Sequence, residues 1–151
     1  MPQSLSNILV HIIYSTKNRQ SFLQDERQRK EVHTVLASEH QRRKCNAIVI
    51  GGTENHVHIL CRLHSTVPIS DLIGEAKRKS SIWFKGKEGV SKDFGWQSGY
   101  GAFSIGQSMV NDVYAYIRKQ PEKHRKMSFE EEYREFLQRY GVDFDERYVW
   151  N

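Results

Sequence analysis

Two imidazoles, a phenol and a carboxamide are the side chains whose types and spacing best suit them to do chemistry together. His56 and His58 flank Val57 at the head of the apolar run His56–Leu63. On a strand, residues i and i+2 project from one face, so both rings can converge on a single metal ion. Tyr116 and Gln120 stand at i and i+4, one helical turn apart, on the margin of an apolar stripe of Val110, Val113, Tyr114 and Ile117. This wheel makes Tyr114 a core residue and leaves Tyr116 and Gln120 free to face a site together. The competing reading, two histidines on a solvated sheet face and a boundary tyrosine, uses the same spacing. Imidazole and oxygen donors without a thiolate suit a divalent ion that keeps positions open for water and phosphate oxygen. Mg²⁺ or Mn²⁺ is therefore expected, with zinc left open. A phenol with an ordinary pKa of about 10 is roughly one part in a thousand ionised at neutral pH. It attacks well only where phosphoryl charge is neutralised and a proton acceptor is near. The product is a covalent phosphotyrosine, and exchanging one phosphodiester for another needs no ATP.

The elements that must position these groups follow from the hydrophobic pattern. Residues 8–14 (ILVHIIY) read as a strand, and residues 24–44 as a helix with Asp25 and Glu26 at its start and Arg42, Arg43 and Lys44 at its end. Residues 47–50 and 56–63 read as two strands joined at a Gly51-Gly52 turn. A helix is expected over 71–85 and a loop over 86–101, delivering a strand near 100–105. Ser108 is the expected N-cap of a helix running from Met109 to about Gln120, where Pro121 ends or kinks it. A last amphipathic helix spans about 128–140, stopped at Gly141. The order β, α, β, β, α, β with extra C-terminal helices predicts an α+β fold, an antiparallel sheet backed by helices with a ferredoxin-like or RRM-like core.

Length and composition bound the class. One domain over 1–151 is expected, and 38% hydrophobic with 27% charged residues lies in the globular range. No apolar run is long enough for a membrane span and residues 1–6 lack a leader pattern, so a cytoplasmic protein with no membrane partner is expected. Cys45 and Cys61 lack metal or disulfide spacing and read as small apolar fillers. Residues 1–126 hold 20 Lys+Arg against 11 Asp+Glu, a balance of +9, whereas 127–151 holds 3 against 7, or −4. The basic part is the expected working surface for a phosphate-bearing partner.

His56-Val57-His58 is a His-hydrophobic-His (HUH) triplet, and Tyr116-Ile117-Arg118-Lys119-Gln120 is similar to the Tyr-Ile-x-x-Gln motif of single-tyrosine HUH transposases. Those enzymes are carried by the smallest bacterial insertion sequences and have repeat-associated relatives. Residues 11–19 resemble the family's first strand, 96–104 its last strand, and 120–125 with 128–133 its tail. The chain departs from the family at Asn55, where many relatives have Asp, and at Lys123-His124, where many have paired histidines. Glu54 is the nearest acidic substitute. The resemblance implies a DNA transposase that nicks and rejoins single-stranded DNA. In that pattern His56, His58 and Gln120 bind Mg²⁺ or Mn²⁺ and Tyr116 attacks the scissile phosphate, leaving a 5′-phosphotyrosine and a 3′-OH. It further implies a homodimer that recognises hairpin ends.

Cations near these groups are the candidate DNA contacts. Lys77, Arg78, Lys79, Ser80 and Lys85 lie on one helix, Arg118 and Lys119 beside the tyrosine, with Lys123 and Arg125 adding charge, and Lys17 and Arg19 follow the first strand. Trp83, Trp96 and Tyr100 can stack unpaired bases, though at least two are expected to be buried. Two other classes fit part of the pattern. A replication or relaxase nickase uses similar chemistry with different motifs, and a non-catalytic single-strand binding module dispenses with Tyr116.

Overall fold

The structure, a computed structural model, describes residues 2–151. Its elements are β1 (Ile8–Ser15), α1 (Glu26–Arg42), β2 (Ala47–Gly52), β3 (His56–Leu63), α2 (Ile69–Lys85), β4 (Gly101–Ile105), α3 (Val110–Arg118), α4 (Gln120–Lys123) and α5 (Phe129–Arg139). Single 3-10 turns lie at Lys17–Arg19 and Gln107–Met109. The strands form one antiparallel sheet in the order β2-β3-β1-β4, so the chain adopts the α+β, ferredoxin-like arrangement that its element order predicts.

Strand alternation divides the interior into two layers. Val10, Ile12 and Tyr14 of β1 and Val57, Ile59 and Cys61 of β3 face α1 and α2, which close over them with Val32, Leu36, Leu72, Ile73, Ala76 and Phe84. On the other face Ile13 and Phe103 pack against Phe129, Tyr133, Phe136 and Leu137 of α5. Val49 and Leu60 pack against Ile117 of α3. Val57 therefore anchors β3 in the first layer, and the flanking histidines enter the second. Both are fully buried beneath helices instead of standing on a solvated face. Cys45 and Cys61 are free thiols buried in the first layer.

Several local expectations change. Gly51 and Gly52 belong to β2, and the turn falls at 53–55. The reason at Gly51 is close approach: a Cβ there would lie 2.3 Å from the Ile117 carbonyl oxygen, so only glycine lets α3 rest on the sheet. Ser108 lies inside the 3-10 turn, and α3 begins after Met109 with no side-chain cap. Nor does α3 reach Gln120. Lys119 leaves helical geometry (φ −97°, ψ 15°) and α4 starts afresh with Pro121 in its first turn. Proline has no N–H to return to Ile117, whose carbonyl is the one packed against Gly51. Tyr114 is exposed, not core, because the helix presents Ile117 to the sheet. Trp83 and Tyr100 are also exposed, and of the three aromatics only Trp96 packs inward, against Tyr14 and Phe94.

Candidate active site

The histidines of β3 are held from behind. His56 Nδ1 lies 2.9 Å from both Thr53 Oγ1 and Asn55 Oδ1 in the β2–β3 turn. His58 Nδ1 lies 2.8 Å from Nε2 of His11, a buried residue of the central strand β1. Each ring therefore turns Nε2 forward, the arrangement by which outer partners orient metal-ligating imidazoles.

Glu132 of α5 meets both rings from above. Its Oε1 is 3.0 Å from His58 Nε2, 3.0 Å from His124 Nε2 and 3.7 Å from His56 Nε2. Donor atoms of His56, His58, His124 and Glu132 all lie within 4.8 Å of one another. Gln120, fully buried by the break before α4, brings Oε1 to 2.9 Å from His56 Nε2. When His56 keeps its proton on Nδ1 toward Asn55, the Nε2 lone pair faces that amide oxygen, two acceptors that a shared cation reconciles. Three imidazoles, a carboxylate and an amide oxygen fit a divalent ion. Glu132 Oε2 points the other way and accepts hydrogen bonds from the Tyr116 hydroxyl and, at 3.0 Å, from Gln120 Nε2. One carboxylate thus joins the cation-holding cluster to the phenol.

Electrostatics follow from burial. Burial pushes the Glu132 carboxyl up, but hydrogen bonds from His124 and His58 and the charges of His58 and His56 outweigh it and hold the group well below the usual carboxylate range. His56 is pushed well below the usual imidazole range by burial, then by its neighbours His58 and His124, against the pull of Glu132 and Gln120. Burial, followed by the charge and hydrogen bond of Glu132, pushes Tyr116 above the ordinary phenol range, with Gln120 and Arg139 opposing.

The structure brings Tyr116, His56, His58 and Gln120 together in one chain, and it adds three residues. His11 is a lone histidine on the inward face of the first strand. Glu132 had a legible signal: Phe129, Glu132, Tyr133, Phe136 and Leu137 form the inward stripe of α5, with a carboxylate at an apolar position. His124 sits in a short turn region without periodicity. Asn55 supports His56 from behind, and the carboxylate of the cluster is Glu132, not Glu54.

The candidate DNA contacts divide. Lys119 and Tyr116 line an open cavity of about 610 Å³ with Lys123, Arg125 and Lys126. Arg118 is exposed beside Tyr114, and Lys17 is exposed next to the first strand. Lys79 and Lys85 are half-buried and Arg78 pairs with Glu75 at 2.8 Å, all on α2. Three residues have structural employment instead. Ser80 is fully buried, donating to the Ala76 carbonyl and accepting from Trp96 Nε1. Lys77 donates to the Gln97 and Gly99 carbonyls and covers the Tyr14 ring, and burial lowers its pKa to about 8. Arg19 pairs with Glu130 at 3.3 Å and covers Trp150. Their side chains satisfy neighbouring elements, which composition alone does not reveal.

A family profile described as "Transposase IS200 like" matches residues 4–120. Among solved structures, a Deinococcus radiodurans protein described as a transposase aligns with a TM-score of 0.58 at 17% identity, covering 78% of this chain and 95% of that one. A REP-associated tyrosine transposase bound to a REP hairpin aligns with a TM-score of 0.60 at 17% identity, covering 82% of this chain and 72% of that one. No curated protein gives a significant match. At these identities the two structures speak for the fold, whereas the profile spans most of the sequence, and the chain belongs to the IS200-like transposase family.

Proposed function

We propose that this transposase nicks and rejoins single-stranded DNA through Tyr116, with a divalent ion held by His56, His58 and Gln120 and, in this chain, also by Glu132 and His124. The observation that carries the reading is the shared carboxylate: Glu132 Oε1 faces the imidazoles while Oε2 accepts from the Tyr116 hydroxyl. The hydroxyl has a proton acceptor in place. Its oxygen attacks phosphorus as the phenol proton passes to Glu132, the bond from phosphorus to the 3′ oxygen breaks, and the downstream fragment stays on the tyrosine through its 5′ phosphate while the upstream fragment leaves and its 3′ oxygen takes up a proton. A bound Mg²⁺ or Mn²⁺ supplies Lewis-acid neutralisation of the phosphate charge. Gln120 Nε2 keeps the Glu132 carboxylate turned toward the phenol. Lys119, Lys123, Arg125 and Lys126 line the cavity that Tyr116 borders and suit the phosphates of an approaching strand. Hairpin recognition and pairing of two copies belong to the same reading, supported by the family and by the hairpin bound to the REP-associated relative.

The test uses labelled single-stranded DNA from the flanks of the gene, including any hairpin, incubated with Mn²⁺ or Mg²⁺. A covalent protein–DNA adduct is expected, lost in Tyr116→Phe and in metal-free buffer and retained in Tyr114→Phe. An adduct that survives Tyr116→Phe refutes the nucleophile. Sedimentation of the protein on its hairpin reports whether two copies bind.

A further inference from the structure

A second cavity also borders Tyr116. It has a volume of about 250 Å³ and is bounded by Met109, Asp112, Tyr116, Phe136, Arg139 and Tyr140, among others. Tyr116 borders both this cavity and the basic one, so the two lie next to each other at its side chain. Three aromatic rings shape the interior. Phe136 stands edge-on to Tyr116 with centroids 5.8 Å apart, and Tyr140 lies parallel to Phe136 at 6.4 Å with an interplanar angle of 11°. Tyr140 and Met109 are 39% and 47% exposed, so the apolar lining is open to solvent. Asp112 in the first turn of α3 and Arg139 in the last turn of α5 put one acceptor and one donor group at this rim.

We propose that this cavity binds a single unpaired nucleobase next to the scissile phosphate, and that it selects guanine or cytosine. The inference rests on the strand-cleavage reading above. A volume below the roughly 300–1,000 Å³ of drug-sized sites admits one flat ring system and not a base pair. Aromatic walls favour any base by stacking, and the rim narrows the choice. A carboxylate accepts from an exocyclic amino group and a guanidinium donates to a carbonyl. Guanine and cytosine carry both groups, adenine lacks the carbonyl and thymine lacks the amino group. A strand with its phosphate at the Tyr116 hydroxyl and its backbone along the basic cavity has an adjacent base within one nucleotide of the ring. The aromatic cavity is bordered by the same tyrosine and lies within that reach.

The experiment takes the strand cleaved in the adduct assay and replaces each nucleotide flanking the scissile phosphate in turn by an abasic site and by the other three bases. At one position the abasic site is expected to lower the rate of adduct formation about tenfold, with guanine and cytosine preferred over adenine and thymine. Tyr140→Ala should flatten that position's profile while adducts still form, Tyr140→Phe should restore it, and Asp112→Asn or Arg139→Gln should erase the base preference while keeping the abasic penalty. The Tyr140→Phe arm separates loss of a stacking face from loss of fold, with thermal unfolding run on every variant. Equal rates at every flanking position, or identical profiles for wild type and Tyr140→Ala, overturn the pocket and leave strand cleavage standing. Absence of any Tyr116-dependent adduct overturns both.

Discussion

At the scale of single residues, Glu132 is the group on which the rest of the site converges. A buried carboxylate with three imidazoles around it is stable only while those partners stay in place, and removing one leaves uncompensated charge. Glu132→Gln should weaken Mn²⁺ binding by about tenfold or more in calorimetric titration, because a carboxylate donor becomes an amide. Unchanged affinity would remove Glu132 from the ligand set. A different histidine contributes to acid sensitivity. His33 on α1 has an Nε2 buried without a partner, and burial, then Arg29, lowers its pKa from 6.5 to about 4. The fold holds the neutral form, so the unfolded chain binds more protons between those two values. This contribution to stability is present above about pH 6.5 and is lost as pH falls toward 4. His33→Leu should therefore narrow the gap between melting temperatures at pH 7 and pH 4.5 by a few degrees. The same gap in the variant and the wild type would show that His33 plays no part in it.

At the scale of elements, the site depends on how closely two helices approach the sheet. Gly51 pairs with His58 across the β2–β3 ladder and touches the Ile117 backbone, so it sets the height of α3 over the histidine strand. Gly51→Ala inserts a methyl group where 2.3 Å is available. The helix must rise, and with it Tyr116 and Gln120. The expected result is a loss of about 1–3 kcal/mol in denaturant unfolding, together with slower adduct formation. Full activity in a stably folded Gly51→Ala protein would show that the helix position is not critical. The docking of α5 was only partly legible. Its amphipathic period is plain in the sequence and places Glu132 at an apolar position, but what that carboxylate meets is legible only once the histidine face beneath it is known.

Over the whole molecule, charge and chemistry are segregated. The basic residues 1–126 carry the histidines, the tyrosine and the cavity cations, while the acidic C-terminal stretch contributes the carboxylate that the cluster needs. His124 and Glu132 both lie beyond the residues matched to the family profile, so the segment after 120 completes the site. Phosphate neutralisation should make binding salt-dependent. Replacing Lys123 and Lys126 by Gln together is expected to reduce the slope of log affinity against log salt by about 1.4, taking roughly 0.7 for each single-strand phosphate that the variant leaves unneutralised. Fluorescence anisotropy of labelled single-stranded DNA across a salt series measures it, and an unaltered slope places the strand elsewhere. No helix among the described residues is long and apolar enough to cross a membrane.

Backbone periodicity accounts for the part of the site that could be read from the residues in order. His56 and His58 must share a face because strands repeat every two residues, Tyr116 and Gln120 lie about a turn apart, and the order of strands and helices predicts the sheet. Packing settled the rest: which face is covered, that Glu132, His124 and His11 meet the histidine pair, and that Lys77, Arg19 and Ser80 serve neighbouring elements. Those outcomes depend on distances between segments far apart in the chain, fixed by close approaches such as that of Gly51 to Ile117. Local periodicity carries no information about such distances.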